Sequence, residues 1–306
     1  EICACLVGSE MCIRDRCCSV LFIYGYSVVH GDKVFDLTEQ KYSQNMTSFI
    51  YGTDKNGKTV EITRLHGEEN RIWVDMDDMS PYMPKAFVAG EDKRFYEHHG
   101  VDWVRTIGVF VKPTNFGQGG STITQQLIKN LTDENQVTFI RKFNEILQAL
   151  NLERNYSKDE IIEAYLNTVY LSNGCYGVKT AAEKYFGKDI KDLNAAECAS
   201  LAAITKAPST YDPLNDPKAN KKRQEYFLEA MYKEGSISKD EYESAKSYKL
   251  VFTNSKEYKG SKVKAKSTKK AQTVNSYYVD HVITSVIEDL QKNGYTCLLY
   301  TSPSPR

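Results

Sequence analysis

The sequence predicts a mainly α-helical domain from about residue 76 to residue 250, with a small β-hairpin region before it. Three observations predict this class. Apolar residues recur every three or four positions, as in Ile123, Leu127 and Leu131, or Phe143, Ile146, Leu147 and Leu150. That is the period of a helix with one buried face. Caps open such runs: Ser157-Lys-Asp-Glu160 is a capping box, and Asn194-Ala-Ala-Glu197 is a further cap. The hairpin signal is confined to residues 48–63.

Taken in order, the chain opens on residues 1–16, EICACLVGSEMCIRDR, and closes on residues 297–306, CLLYTSPSPR. Both resemble translated sequencing-adapter sequence, so artificial ends are expected. Cys3, Cys5, Cys12 and Cys297 then drop out, leaving Cys17, Cys18, Cys175 and Cys198. Their spacing fits neither a zinc site nor a disulfide framework. Cys175 and Cys198 are expected as small buried residues. Residues 17–29 are apolar for 13 positions, short of the roughly 20 of a full membrane span. On their own they read as a buried strand or short core helix. Residues 30–46 are polar. Ser48–Tyr51 and Lys58–Thr63 flank Asp54-Lys-Asn-Gly57, and Asn-Gly between β-prone runs signals a hairpin. Arg71–Val74 is expected as a third strand.

From Pro81 the chain reads helical. Between Val101 and Phe116, the residues Trp103, Val104, Ile107, Val109, Phe110, Val111 and Phe116 crowd together, broken by Pro113 and Gly117. Helices are expected from Ser121, around Arg141, after Ser157, around Ala181–Phe186, after Asn194, at about 217–234 and at 239–247. Residues 251–276 hold seven lysines and few apolar residues, as a solvated linker would. Val279, Val282, Ile283, Val286, Ile287 and Leu290 form one amphipathic helix within residues 277–296.

Forty basic and forty acidic residues balance in a chain of 306. No basic helix or aromatic RNA-binding motif appears, so nucleic acid is not an expected partner. The chemistry concentrates in three stretches. Gly119-Gly120 precedes Ser121, a good N-cap, and the free N–H groups of such a helix start favour anions. Thr122, Gln126, Lys129 and Asn130 lie opposite the apolar stripe, with Gln125 beside them. On the next helix, Arg141 and Glu145 share a face with Lys142 nearby. Alone, such a pair is an ordinary surface ion pair; with function, it is a cationic clamp for diphosphate beside a carboxylate. In Glu91–Gly100, EDKRFYEHHG, Glu91 follows the inward-facing Met83, Ala86, Phe87 and Gly90. A carboxylate beside apolar packing suits a general base. His98 and His99 point about 100° apart on a helix, which disfavours shared metal binding.

These stretches match a family pattern. Glu91, Asp92, Phe95, His98 and Gly100 fit EDxxFxxHxG; GGSTITQQ fits GxSTxTQQ; Arg141, Lys142 and Glu145 fit RKxxE; Lys158, Tyr165 and Asn167 resemble a fourth motif. The chain resembles, over roughly residues 50–250, the family 51 peptidoglycan glycosyltransferases, the first catalytic domain of class A penicillin-binding proteins. The resemblance implies a bilobed, lysozyme-like fold at 76–250. It implies a membrane-anchor remnant at 17–29, a juxtamembrane segment at 30–75, and a linker at 251–276. Residues 277–296 would start a transpeptidase region. It implies a single-pass protein of the bacterial cytoplasmic membrane, with its catalytic domain outside and its Val101–Phe116 region against the lipid.

The implied substrates are lipid II and a growing glycan strand on a lipid diphosphate, joined by a β-1,4 bond, with a cell-wall synthesis complex as partner. Glu91 is the implied base and Glu145 the second essential acid, either holding magnesium or manganese or orienting Arg141 and Lys142. Implied substrate-binding residues are Asp92, Phe95, His98, Gly120, Ser121, Thr122, Thr124, Gln125, Gln126, Lys129, Asn130, Arg141, Lys142, Lys158, Tyr165 and Asn167. Two rivals stand beside this: a lysozyme-like hydrolase, which leaves the cationic cluster without a job, and a non-catalytic glycan- or lipid-binding membrane module, which would not need both carboxylates.

Overall fold

The computed structural model describes residues 2–32, 35–37, 48–53, 57–65, 70–111, 120–132, 138–260 and 277–292. The expectations for residues 297–306, Asn56, Pro113, Phe116, Gly117 and Gly119 lie outside the described residues, as do the side chains of Ile107, Val109, Phe110 and Val111.

Helix α1, Ile2–His30, runs through both the adapter-like segment and the apolar run. Its Val20, Leu21, Phe22 and Ile23 are exposed. Further along, α1 lies on α5 (Phe139–Asn155). There Tyr24 donates to Asn144 at 3.2 Å and Asn151 donates to the Val28 carbonyl at 2.9 Å. Among the described residues no helix is long and apolar enough to cross a membrane.

Strands β1 (Ser48–Thr53) and β2 (Thr59–Leu65) form the expected antiparallel hairpin, with a bulge between Ile50 and Tyr51. The third strand is not as expected. Only Asn70–Arg71 is extended as β3, and it pairs in parallel with β4, Cys175–Tyr176. The cause lies downstream. The Asn167 side chain takes both the N–H and the C=O of Val74, at 2.9 and 2.8 Å, so no ladder can continue there.

The helices follow as α2 (Tyr82–Glu91), α3 (Trp103–Val111), α4 (Ile123–Thr132), α6 (Lys158–Thr168), α7 (Val178–Phe186), α8 (Ala195–Ala202), α9 (Pro217–Lys233), α10 (Lys239–Ser247) and α11 (Tyr277–Lys292). Both expected capping boxes are present, and Ser238 with Glu241 adds a third. Helices α4, α5 and α6 pack as one group, and α8, α9 and α10 as another. Helix α2 lies between them and touches both groups. It can sit that close because Gly90 has no Cβ: one would fall 1.9 Å from Cε1 of Phe227, which is fully buried on α9. The core is continuous through Phe87, Leu127, Tyr165, Leu201 and Phe227. The domain is thus mainly helical, with its two helical groups meeting at the C-terminal end of α2.

Of the expected linker, residues 261–276 lie outside the described residues, and its first residues pack on the domain. Phe252 is buried against Phe186, with ring centroids 5.4 Å apart, and Thr253 N–H donates to the Tyr185 carbonyl at 2.9 Å. These two contacts hold Phe252 and Thr253 against α7.

Candidate active site

Helix α2 ends at Glu91 because Asp92 leaves helical geometry, with φ −151° and ψ 77°. Its fully buried carboxylate explains why. Oδ2 accepts the Ile123 N–H at 2.9 Å and lies 2.9 Å from His98 Nε2. A carboxylate at a helix N-terminus is favourable there. So α4 begins on an anion, but that anion is the protein's own.

This corrects the expected helix start. Helix α4 is capped by Thr122 rather than Ser121: Thr122 Oγ1 accepts the Gln125 N–H at 3.2 Å, and Gln125 Oε1 accepts the Thr122 N–H at 2.9 Å. Thr122 also donates to the Gly100 carbonyl at 2.7 Å. The Ile123 and Gln125 N–H groups in the first turn of α4 are therefore engaged within the protein. Ser121 is instead left to accept from Lys142 Nζ at 2.9 Å.

Glu91 is partly buried between the two helical groups. Its Oε2 accepts from Gln126 Nε2 at 3.1 Å, and its Oε1 lies 2.6 Å from the Thr205 hydroxyl, just beyond α8. The Tyr165 hydroxyl donates to Gln126 Oε1 at 3.0 Å, which turns the amide nitrogen toward Glu91. Burial, and then the Glu91 and Asp92 carboxylates, push the Tyr165 phenol well above its ordinary pKa, so it stays a donor. Behind Glu91, Arg105 donates to its main-chain carbonyl at 2.8 Å, a cation on the C-terminal end of α2.

The second carboxylate has a different setting. Thr138 caps α5 by accepting the Arg141 N–H at 3.2 Å. One turn on, Glu145 is only 5% exposed. Its Oε2 accepts from Arg141 Nη1 at 2.8 Å, and its Oε1 accepts from Lys142. Two cations against one carboxylate leave a formal excess of one positive charge. Arg141 Nε is buried with no partner among the described residues, an N–H still to be satisfied. Lys129 is exposed and Asn130 half-buried on the outward side of α4, and Gly120 is half-buried just before it.

The geometry separates residues that reach the surface from those that hold them. Asp92, Phe95, Thr122, Thr124, Gln125, Tyr165 and Asn167 are buried. Among the residues expected at the substrate, Asn167 lies deepest in the protein's own hydrogen bonds. It is fully buried, and its bonds go to Val74 and the Glu163 carbonyl. Lys158 also turns inward. It pairs with Glu153 at 2.7 Å and sits 4.4 Å over the Phe95 ring, while Thr124 donates to the same carboxylate at 2.6 Å. His98 packs edge-on to Phe95. Local patterns missed Thr205, Glu153, Arg94 and Arg105. Of these, Arg105 has a local signal, since Asp102 caps its N–H at 2.9 Å while receiving Arg94. Thr205 meets Glu91 across 114 positions and leaves none.

Glu145 does not fit a divalent cation. The Arg141 and Lys142 cations that its two oxygens accept from would repel a divalent ion there, and no group of three His, Cys, Asp or Glu suited to a metal occurs among the described residues. Magnesium and manganese favour several oxygen ligands.

The Glu91 carboxylate and the Arg141–Lys142–Glu145 cluster are thus both bonded to one short segment, through Gln126 and Ser121. The transglycosylase family model matches residues 56–232, and the chain belongs to that family. It is 43% identical over 234 residues to penicillin-binding protein 1A/1B of Bacillus subtilis (strain 168), covering 74% of this chain and 25% of that one. Penicillin-binding protein 1F of the same organism is 45% identical over 227 residues, covering 72% and 31%. Penicillin-binding protein 1A of Clostridium perfringens (strain 13 / Type A) is 36% identical over 293 residues, covering 91% and 41%. The chain thus spans less than half the length of these relatives.

Proposed function

We propose that this domain is a peptidoglycan glycosyltransferase that polymerises lipid II into β-1,4-linked glycan strands. The observation that carries the reading is the double engagement of α4 and the residue run before it. Gln126 holds Glu91, while Ser121 holds Lys142 of the Arg141–Lys142–Glu145 cluster. The two chemical halves of a glycosyl transfer are thereby fixed to one short segment.

In this reading Glu91 takes the proton from the acceptor's 4-hydroxyl. The oxygen attacks the donor's anomeric carbon, and the bond to the lipid diphosphate breaks with inversion. The bonding electrons leave with the diphosphate. Arg141, Lys142 and the exposed Lys129 meet that growing charge, and preorganised cations lower the barrier because they need not reorient. A carboxylate has about four lone-pair sites, so Glu91 keeps room for the proton while Gln126 and Thr205 hold it. Glu145 keeps the two cations aligned rather than binding metal, and the proposed reaction routes no step through magnesium or manganese.

We place the site at the outer face of the bacterial cytoplasmic membrane. Support comes from the apolar side chains that α1 presents and from Trp103 and Val104 on α3, which are 52% and 70% exposed. Exposed apolar surface of this kind suits an interface with lipid.

The test is incubation of the purified chain with labelled lipid II, followed by chain-length separation. Long glycan products with release of lipid diphosphate are expected. Shortening of preformed glycan without polymerisation would favour a hydrolase. Binding without either product would favour a non-catalytic module.

A further inference from the structure

The Thr205 hydroxyl lies 2.6 Å from Glu91 Oε1 and 2.8 Å from the Ala202 carbonyl oxygen. A threonine hydroxyl has one proton to donate and two lone pairs to accept with. It therefore cannot donate to both neighbours at once. The carbonyl can only accept. The carboxyl can accept when ionised and donate when protonated.

We propose that Thr205 is a positioning residue for Glu91 that reverses its hydrogen bond as Glu91 takes up a proton; this rests on Glu91 being the base. With Glu91 ionised, Thr205 donates to Oε1, and 2.6 Å is the ordinary separation for a hydroxyl on a carboxylate. With Glu91 protonated, the carboxyl O–H donates to Thr205, and the Thr205 proton turns to the Ala202 carbonyl, at 2.8 Å the usual neutral distance. Only hydrogens move. Gln126 cannot reverse in this way, because Tyr165 fixes its amide oxygen and leaves the nitrogen toward Oε2. The two partners divide the carboxyl accordingly: Oε2 accepts in both states, and Oε1 bears the proton that Thr205 receives.

Other charged or titratable groups surround Glu91. Asp92 follows it on α2. Lys93, Arg94, Asp102 and Arg105 line with it a cavity of about 240 Å³. Tyr165 stands behind from α6. On α9, Arg223 donates to the Ala203 carbonyl at 3.1 Å, and Glu234, just after it, pairs with Lys93 at 3.4 Å. A change at Thr205 leaves all of these in place, so its effect on protonation is separable from theirs.

The experiment compares Thr205→Val and Thr205→Ser with the parent chain. Valine removes the bond in both states, and the bond to the ionised carboxylate is the stronger of the two, so Glu91 holds its proton to higher pH. Activity needs the ionised form, so the acid limb of kcat/KM moves upward by about one pH unit, the scale of a hydrogen bond to a charged group. The kcat at neutral pH falls ~10-fold while KM for lipid II changes by less than ~2-fold, and serine restores the profile. Carboxyl-labelled NMR titration of Glu91 in both variants gives a second readout that needs no substrate. It should move the same way for valine and stay put for serine. Superimposed titrations for the parent and Thr205→Val overturn the proposal, as does equal impairment by serine. A parent chain that titrates as expected but makes no glycan would instead overturn the assigned reaction.

Discussion

Glu145 accepts from Arg141 on one oxygen and from Lys142 on the other. In Glu145→Gln the amide nitrogen must face one of these cations, which loses its partner and its alignment. Donor KM should then rise ~10-fold, the scale of one charged hydrogen bond, and added magnesium or manganese should not restore it. The check is a kinetic titration of both metals against this variant. Full rescue by either would show that Glu145 holds a metal after all. Much of this residue scale was legible in the sequence. Glu91, Arg141, Lys142 and Glu145 stand in ordered motifs, and the i, i+4 spacing of Arg141 and Glu145 already put them on one face. Thr205 was illegible, because its meeting with Glu91 depends on how α2 and α8 pack, which no short pattern encodes.

Among the elements, α6, α8 and α10 were readable because capping boxes and periodicity agree there, while α2 and α7, which have no side-chain cap, were readable from periodicity alone. The short β3 was not, because a distant side chain, Asn167, decides where the extended segment stops. The same holds for the start of α4, where Asp92 reaches across 31 positions to Ile123. Gly100 joins these elements. Its φ is +87°, and a Cβ there would fall 2.6 Å from the Ala149 carbonyl oxygen on α5. Its own carbonyl receives Thr122 at 2.7 Å. Gly100→Ala should therefore cost about 1–2 kcal/mol from the left-handed backbone alone, with the contact adding to it. Urea unfolding of the two chains measures this. Unchanged stability would mean that the loop between α2 and α3 shifts freely, and that Gly100 does not fix α4 against α5.

At the scale of the whole molecule, several protons are locked in by the core. Burial, ahead of weaker neighbouring charges, raises the Cys175 thiol to about 12, and burial raises Cys198 to about 12 as well, from an ordinary value of 9.0. Tyr165 and Tyr185 are raised for the same leading reason. Between pH 9.0 and about 12 the folded chain keeps thiol protons that the unfolded chain has lost. Stability is thus fully present below pH 9.0 and falls as pH rises through that window. Denaturant midpoints measured at increasing pH should decline across it. A flat or rising midpoint would contradict the burial of these groups.

The central claim is that Glu91, held between the two helical groups, removes the acceptor's proton. The most direct measurement is glycan formation from lipid II by Glu91→Gln, alongside lipid II binding to the same protein. Glutamine keeps the shape and the contacts with Gln126 and Thr205 within reach, but it cannot take a proton at neutral pH. Polymerisation should fall by ~10²–10⁴-fold, the usual contribution of a general base, while binding persists. Glycan formation by Glu91→Gln at the rate of the parent chain would contradict the account.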